Sequence, residues 1–495
     1  MATLLLVKIY APMATEPKKA RSLFSNLLLL VRPFVPILPQ VRSPARTPSL
    51  REKFIWTVLA VLIYLVASQI PLYGILTTNI QDHTQWLRIL IASSRGTLMD
   101  LGTGPVVTAS VIMQLLTSSK IIEPDFNIPE DKILHDSLQK LIALLLTVGQ
   151  ALVQIITGFY GPFETLTKAS CCLIVFQLII SGILVILLDE LLQKGYGIGN
   201  GVNLFIVANV CERIIWNAIS PKVFYTGRGL EFEGCLVATV HLLFARRNKL
   251  AALYEIMFRE NLPNLSSLIF TFIIFSFVVY VQSIRVELPI ISRKHKGIVS
   301  SYPINLMYSS TNPILFQNTI VTQFFNVSRL LYKFFPKNLF VRLFGIWEQK
   351  PKVGFAPVSG LCYYIFPPNS YTDMFTRPIF FALYCCIMLC SSAFLAVSLL
   401  ESQEENAEVV FKRIKAKDMQ LKGIRDTNAV DKLNEYVPTA AFLSGLLTSF
   451  VVLFCDLFSV VGSGSNVFLA AGIVNQYIKL VTKETAKRSG KAIIE

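Results

Sequence analysis

The sequence predicts an all-α membrane protein with about ten transmembrane helices, and three observations carry that expectation. Of the 495 residues, 53% are hydrophobic and only 16% are charged, with a mean hydropathy of +0.56. A soluble chain of this length divides into domains that each need a polar surface. Here the charges gather into a few stretches instead, and the uncharged segments between them reach the roughly 20 residues that cross a bilayer's hydrocarbon core.

At the N-terminus, MATLLLVKIYAPMATEPKKARS lacks the order of a cleavable signal, because its short apolar run precedes its basic cluster. Met13 is a second candidate start. Residues Ser22 to Pro36 read as an interfacial helix with Lys18, Lys19 and Arg21 at the headgroups, the alternative being a frayed tail. Phe54–Ile75 is the first clear span, followed by Leu141–Tyr160, Cys171–Leu188, Leu265–Val281, Pro378–Leu400 and Pro438–Phe454. Weaker stretches lie at 104–118, 201–217, 312–332 and 465–482. Such interrupted segments are tolerated where protein or water, rather than lipid, surrounds them. The stretch 101–119 is the sharpest case. Two glycines, a threonine and a proline lead into a helix that begins only near Pro105, and the remainder covers about 20 Å of a core about 30 Å thick.

The formal net charge of +15 is an orientation signal more than a nucleic-acid one. Basic residues cluster at Arg285, Arg293, Lys294 and Lys296, at Lys412, Arg413, Lys415, Lys417, Lys422 and Arg425, and in the C-terminal KETAKRSGK. With ten spans all three clusters share the side of the N-terminus, which the positive-inside bias makes cytoplasmic. The nine cysteines form no CxxC and the four histidines are scattered, so neither a metal site nor a disulfide framework is expected. GYGIGNG at 195–201 has neither the spacing nor the strand–helix setting of a nucleotide loop, and GxxxxGK[ST] and HExxH are absent. Asp189, Glu190, Glu212, Arg213 and Asp456 stand toward span ends, where a solvated end-cap or a coupling site would both sit. No catalytic residue, cofactor or energy source is expected; whatever this protein moves must be pushed, pulled or left to diffuse.

Several motifs in one order complete the reading: RGTLMDLG, MQLL and KIIE, then LLDELLQKGYGIGNGVNLFIVANVCE, GRGLEFEG, NLPNL, YPINLMYSSTNPILFQ, GLCYYIFPP and YVPTAAFLSG. From about Arg32 to Lys483 the chain resembles the eukaryotic Sec61-alpha branch of the SecY family of protein translocases. That resemblance implies ten helices in two pseudo-symmetric five-helix halves, a clamshell with a re-entrant plug helix. It places a cytosolic segment at 1–53, the first half at 54–260 with the plug at about 93–103, the second half at 261–484 with cytosolic loops at about 284–305 and 401–437, and a cytosolic tail at 485–495. The plug residues are Gly96, Thr97, Leu98, Met99, Asp100, Leu101 and Gly102, with Gly96, Gly102 and Gly104 as hinges and close-packing points.

By position, the resemblance assigns a pore ring to Thr103, Val107, Val202, Ile206, Leu315 and Leu469; plain helix packing is the competing account. Thr103 departs from the family's usual aliphatic residue, which leaves open whether the ring or the plug carries the seal. Thr108, Gln150 and Gln323 match the polar residues of the lateral gate, with Gln323 standing where asparagine is usual. Lys294, Lys296, Lys422 and Arg425 match ribosome-contacting positions, three of them lysine for arginine, and a purely topological role is the alternative. The resemblance implies a passive protein-conducting channel of the endoplasmic reticulum membrane with both termini cytosolic. Its partners would be beta and gamma subunits in a heterotrimer, the translating ribosome with its RNA and proteins, signal sequences and nascent chains, Sec62 and Sec63, and membrane lipid. A secondary transporter and a non-conducting docking or insertase relative are the competing functions.

Overall fold

The computed structural model describes residues 32–36, 38–46, 48–75, 88–89, 91–119, 121–122, 129–160, 167–225, 230–245, 248–259, 262–292, 299–308, 312–350, 354–366, 376–402, 406–416, 418–422, 426–457 and 464–488. Each predicted span coincides with a helix, although Phe54–Ile75 and Leu141–Tyr160 run past theirs, which end at Gln69 and Ile156. The first five are α1 (Leu50–Gln69), α2 (Gly104–Ser118), α3 (Pro129–Ile156), α4 (Lys168–Leu191) and α5 (Gly201–Ile219). A short hairpin, β1 (Val223–Tyr225) with β2 (Leu230–Phe232), and two short helices, α6 (Cys235–Ala245) and α7 (Lys249–Met257), lead to α8 (Leu265–Ser283). Strands β3 (Arg285–Ser292) and β4 (Val299–Asn305) precede α9 (Asn312–Phe334). After it come α10 (Leu339–Phe344), β5 (Ile346–Lys350), β6 (Gly354–Ser359) and α11 (Leu361–Ile365), then α12 (Pro378–Ser402). The chain continues through α13 (Ala407–Ala416) and β7 (Met419–Leu421) to α14 (Asp426–Leu457) and α15 (Gly464–Arg488).

Six helices among the described residues are long and apolar enough to cross a membrane by length and composition, whereas α2 is short, as its glycine-rich entry predicts. All ten helices that coincide with predicted spans feed one central apolar cluster, from Tyr64 on α1 and Val107 on α2 to Leu315 on α9 and Leu469 on α15. Local signals set their ends. Ser49 and Glu52 exchange the two hydrogen bonds of a capping box at the start of α1. Pro129, Glu130 and Asp131 open α3, where a missing N–H and negative charge both suit a helix N-terminus.

GYGIGNG is the hinge of a helical hairpin. Gly195 and Gly199 take positive φ, and the Asn200 side chain and the Asp189 carboxylate both accept from the Val202 N–H at 3.0 Å. Asp189 and Glu190 are therefore end-caps, but buried rather than solvated. Glu190 is paired with Lys140 of α3 at 2.6 Å and with Lys194 at 2.7 Å, and Lys194 reaches on to the Val41 carbonyl. Asp456 also caps, accepting from the Gly464 N–H at 2.8 Å where α14 meets α15.

The two loops that read as separate basic segments form one lobe. Strand β7 pairs antiparallel with β3, giving the order β4-β3-β7, and Ile290, Val410, Ile414, Leu421 and Leu433 make its core. The proposed interfacial helix lies largely outside the described residues. Leu433→Ala, at a fully buried site, should cost about 2–5 kcal/mol. Limited trypsin digestion should then cut at Lys412–Lys415 faster than in the parent protein.

Candidate functional site

The six residues assigned to the waist are all buried. Val107, Val202, Ile206, Leu315 and Leu469 share the central cluster, to which Met99 and Ala92 also belong. Val202 and Ile206 lie one turn apart on α5, and Val107 lies one turn from Thr103, so each pair presents a common helix face. Thr103 turns its polarity away from that apolar set. Its hydroxyl donates to the Ile91 carbonyl at 2.8 Å, and its N–H donates to the same oxygen at 2.9 Å.

Residues 93–103, expected as a short helix, instead form turns and bends with one bridge residue. Among the described residues, helical backbone appears upstream, at Arg88 and Ile89. The reason lies in partners outside the segment. Leu72 N–H donates to the Gly96 carbonyl and Leu98 N–H to the Ile70 carbonyl, both at 2.9 Å, so the segment pairs like a strand with the end of α1. The Tyr64 hydroxyl of α1 donates to the Ala92 carbonyl, and the Asn209 side chain of α5 donates to the Ile89 carbonyl at 3.1 Å. Ala92 itself sits at φ 52°, a left-handed conformation costly for alanine and maintained here by surrounding contacts. Gly102 is required: it has φ 53°, and a Cβ there would come within 2.5 Å of the Ile91 and Ala92 carbonyl oxygens. Gly96 has φ 71° with open space around it, so its need is conformational only.

Asp100 organises the turns. Its carboxylate accepts from Arg88 at 3.1 Å and from the Gly96 N–H at 3.3 Å, and its carbonyl accepts from the Ser93 hydroxyl. Burial pushes the Asp100 carboxyl above the usual carboxylate range, and the Arg88 charge opposes that shift.

At the seam between α2 and α9, Gln323 donates to the Thr108 hydroxyl oxygen at 2.9 Å, while that hydroxyl donates to the Gly104 carbonyl at 2.7 Å. Glutamine in place of the usual asparagine therefore makes a direct contact of normal length. Gln150 does not join this bond; its amide nitrogen is buried with no hydrogen-bond partner among the described residues. Lys422 is exposed beside β7, with its N–H bonded to the Pro289 carbonyl at 3.0 Å. Lys294, Lys296 and Arg425 lie outside the described residues.

Sequence reasoning missed Tyr64 and Asn209, polar groups inside apolar helices whose only signal is that position. It also missed Phe159. That ring follows the end of α3, with the Arg88 and Arg95 guanidinium carbons 4.4 and 4.7 Å from its centroid and that of Arg329 at 5.9 Å.

The sequence matches the family model of SecY over residues 97–479 and that of the plug domain of Sec61p over 62–96. The latter overlaps the expected plug at 93–96 only, so the plug unit reaches back toward α1. Three solved structures are similar over nearly the whole chain. A protein-conducting channel has 27% identity over 94% of this chain and 99% of its own, with a TM-score of 0.76. Sec61 in the canine ribosome–channel complex from the endoplasmic reticulum has 26% identity over 94% and 99%, with a TM-score of 0.73. The yeast Ssh1 complex, idle on the yeast 80S ribosome, has 27% identity over 92% and 94%, with a TM-score of 0.72. An apolar waist under a turn-built stopper accords with a match across most of the chain, and this chain belongs to the SecY family, with the fold of a protein-conducting channel.

Proposed function

We propose that this chain is the pore-forming subunit of an endoplasmic reticulum translocon, a passive channel that passes secretory chains co- and post-translationally and releases transmembrane segments sideways into the bilayer. The observation that carries the reading is the apolar waist of Val107, Val202, Ile206, Leu315 and Leu469 adjoining a segment held by directed hydrogen bonds. An apolar constriction excludes ions by dewetting and offers an extended polypeptide no strong contact. Because Thr103 commits its hydroxyl to Ile91, it adds no wetting group to the ring, and the seal is shared between ring and plug. A solute transporter would need a polar midplane pocket, which this apolar cluster does not supply.

Thr108 and Gln323 act as the sideways gate. A bond of this kind between membrane helices is worth about 1 kcal/mol, weak enough for an entering apolar signal helix to displace. Helices α1–α5 form one half and α8, α9, α12, α14 and α15 the other, within bounds of 54–260 and 261–484. The β4-β3-β7 lobe is cytosolic and, with Lys294, Lys296, Lys422 and Arg425, faces the polyanionic ribosome, as the ribosome-bound state of similar channels supports. Both termini are cytosolic, and beta and gamma subunits complete the complex.

A photo-crosslinking probe at Val107 or Ile206 should capture a radiolabelled secretory chain stalled on its ribosome, with yields that follow chain length. Absence of crosslinks from both sites, with the protein inserted and ribosomes bound, would overturn the ring assignment. Gly102→Ala should raise ion leak through the closed channel several-fold in planar bilayers, because the added methyl meets two carbonyl oxygens. Lys422→Glu should weaken ribosome binding several-fold, most at low salt, while glycosylation-site mapping shows an unchanged orientation. A changed orientation with intact ribosome affinity would instead favour the topological role.

A further inference from the structure

Phe159 is placed by chain geometry rather than by a span. At the end of α3, Gly158 takes φ 74°, its N–H donates to the Ile155 carbonyl at 3.0 Å, and the Phe159 N–H donates back to the Gln154 carbonyl at 3.1 Å. That pair of bonds with a left-handed glycine is a Schellman ending, which turns the following side chain back over the helix terminus. The ring so placed meets two different moving parts. Arg88 and Arg95 approach it from the plug, at 4.4 and 4.7 Å. Arg329 approaches it from α9, across the seam, at 5.9 Å, near the outer limit of a cation–π contact. A second contact crosses the seam close by, where Lys333 of α9 donates to the Ile156 carbonyl at the end of α3.

The plug's polar attachments have a common address. They run to Ile70, Leu72 and Tyr64 on and just after α1, to Thr103 at the start of α2, and to Asn209 on α5. The Asp100 carboxylate also meets the Tyr160 hydroxyl, so Phe159 and its neighbour together extend that set to the end of α3. Two contacts tie α3 to α9 at this end, Arg329 over the Phe159 ring and Lys333 at the Ile156 carbonyl.

We propose that Phe159 is a positioning residue shared by two separately released latches: Arg329 and Lys333 close the lumenal end of the sideways gate against α3, and Arg88 and Arg95 seat the plug on the same ring. When α9 moves away from α3, the longest arm lets go first and the ring stays with α3. The plug therefore remains seated on the first half while the seam opens. Releasing the plug requires breaking the two shorter arms independently.

This inference rests on the gate and plug assignments proposed above, and its test separates the two. A cysteine pair, T108C/Q323C, reports gate closure by oxidative crosslinking in membranes, and M99C reports plug seating by its protection from a membrane-impermeant maleimide. If the pair fails to crosslink in an otherwise unaltered idle channel, the gate reading and this inference both fall. Where it crosslinks, Arg329→Gln should lower the yield several-fold and leave Met99-site protection unchanged. Arg95→Gln should raise maleimide labelling several-fold and leave the gate yield unchanged. Phe159→Leu should do both, and Phe159→Tyr should restore both. If Arg329→Gln exposes the Met99 site as much as Phe159→Leu does, the latches are not separate and the proposal fails; it fails equally if Phe159→Leu behaves as the parent. Should Phe159→Leu not insert, the opposite responses of Arg329→Gln and Arg95→Gln, with the rescue of both readouts in Phe159→Tyr, decide the matter.

Discussion

A backbone that is neither helix nor sheet, lodged among apolar helices, must satisfy every buried N–H and C=O from somewhere, and the rest of this structure depends on how that constraint is met at residues 91–103. Local turn bonds such as Ser94 N–H to the Met99 carbonyl, and the Thr103 bonds to Ile91, meet part of it, and neighbours supply the rest: Tyr64 for the Ala92 carbonyl, Asn209 for Ile89 just upstream, and the extended backbone after α1 for Gly96 and Leu98. These partners sit on or beside α1, α2 and α5. A buried carbonyl left unpaired costs roughly 1–3 kcal/mol, so displacing the plug is gradual only if water replaces each partner as it leaves.

The same constraint explains why a polar threonine is tolerated beside the waist. A hydroxyl facing an apolar constriction would hold water and weaken dewetting, but a hydroxyl spent on Ile91 removes that liability and adds a bond to the stopper. Met99 and Ala92 continue the apolar cluster to which Val107 and Leu469 belong, which is why the proposed ring and plug would seal together.

Much of this was legible from residue order. The spans announce themselves by length, and the half-length of α2 is announced by Gly102, Gly104 and Pro105. Asp189, Glu190 and Asp456 stand where spans stop, but their burial was invisible: Asp189 and Asp456 depend on backbone donors across a turn, and Glu190 depends on Lys140, fifty positions away. The turn-built plug was hidden for the same reason. The short helix expected there came from the family resemblance, whereas the backbone follows hydrogen bonds to partners distant in sequence. The joining of the two basic loops through β3 and β7 was hidden because strand pairing is a property of two sequences at once. Phe159 looks like any loop aromatic until three guanidinium groups converge on it.

The strengths of these contacts order the motions. The seam is closed by one direct side-chain bond at Thr108 and Gln323 and by the long Arg329 arm and the Lys333 contact at its end. The plug is held by many short bonds within one half, including a buried Arg88–Asp100 pair whose separation would strand a charge. On the proposed reading, sideways opening breaks few polar contacts, whereas displacing the plug breaks a network of them. An apolar helix arriving at the seam supplies its own favourable transfer into lipid, roughly 25 cal/mol for each Å² of apolar surface buried, which readily exceeds what the seam alone opposes. A hydrophilic chain has no such term, and must be preceded by a segment that does or driven by its ribosome. On the proposed reading, that asymmetry would let one subunit sort its cargo by hydrophobicity.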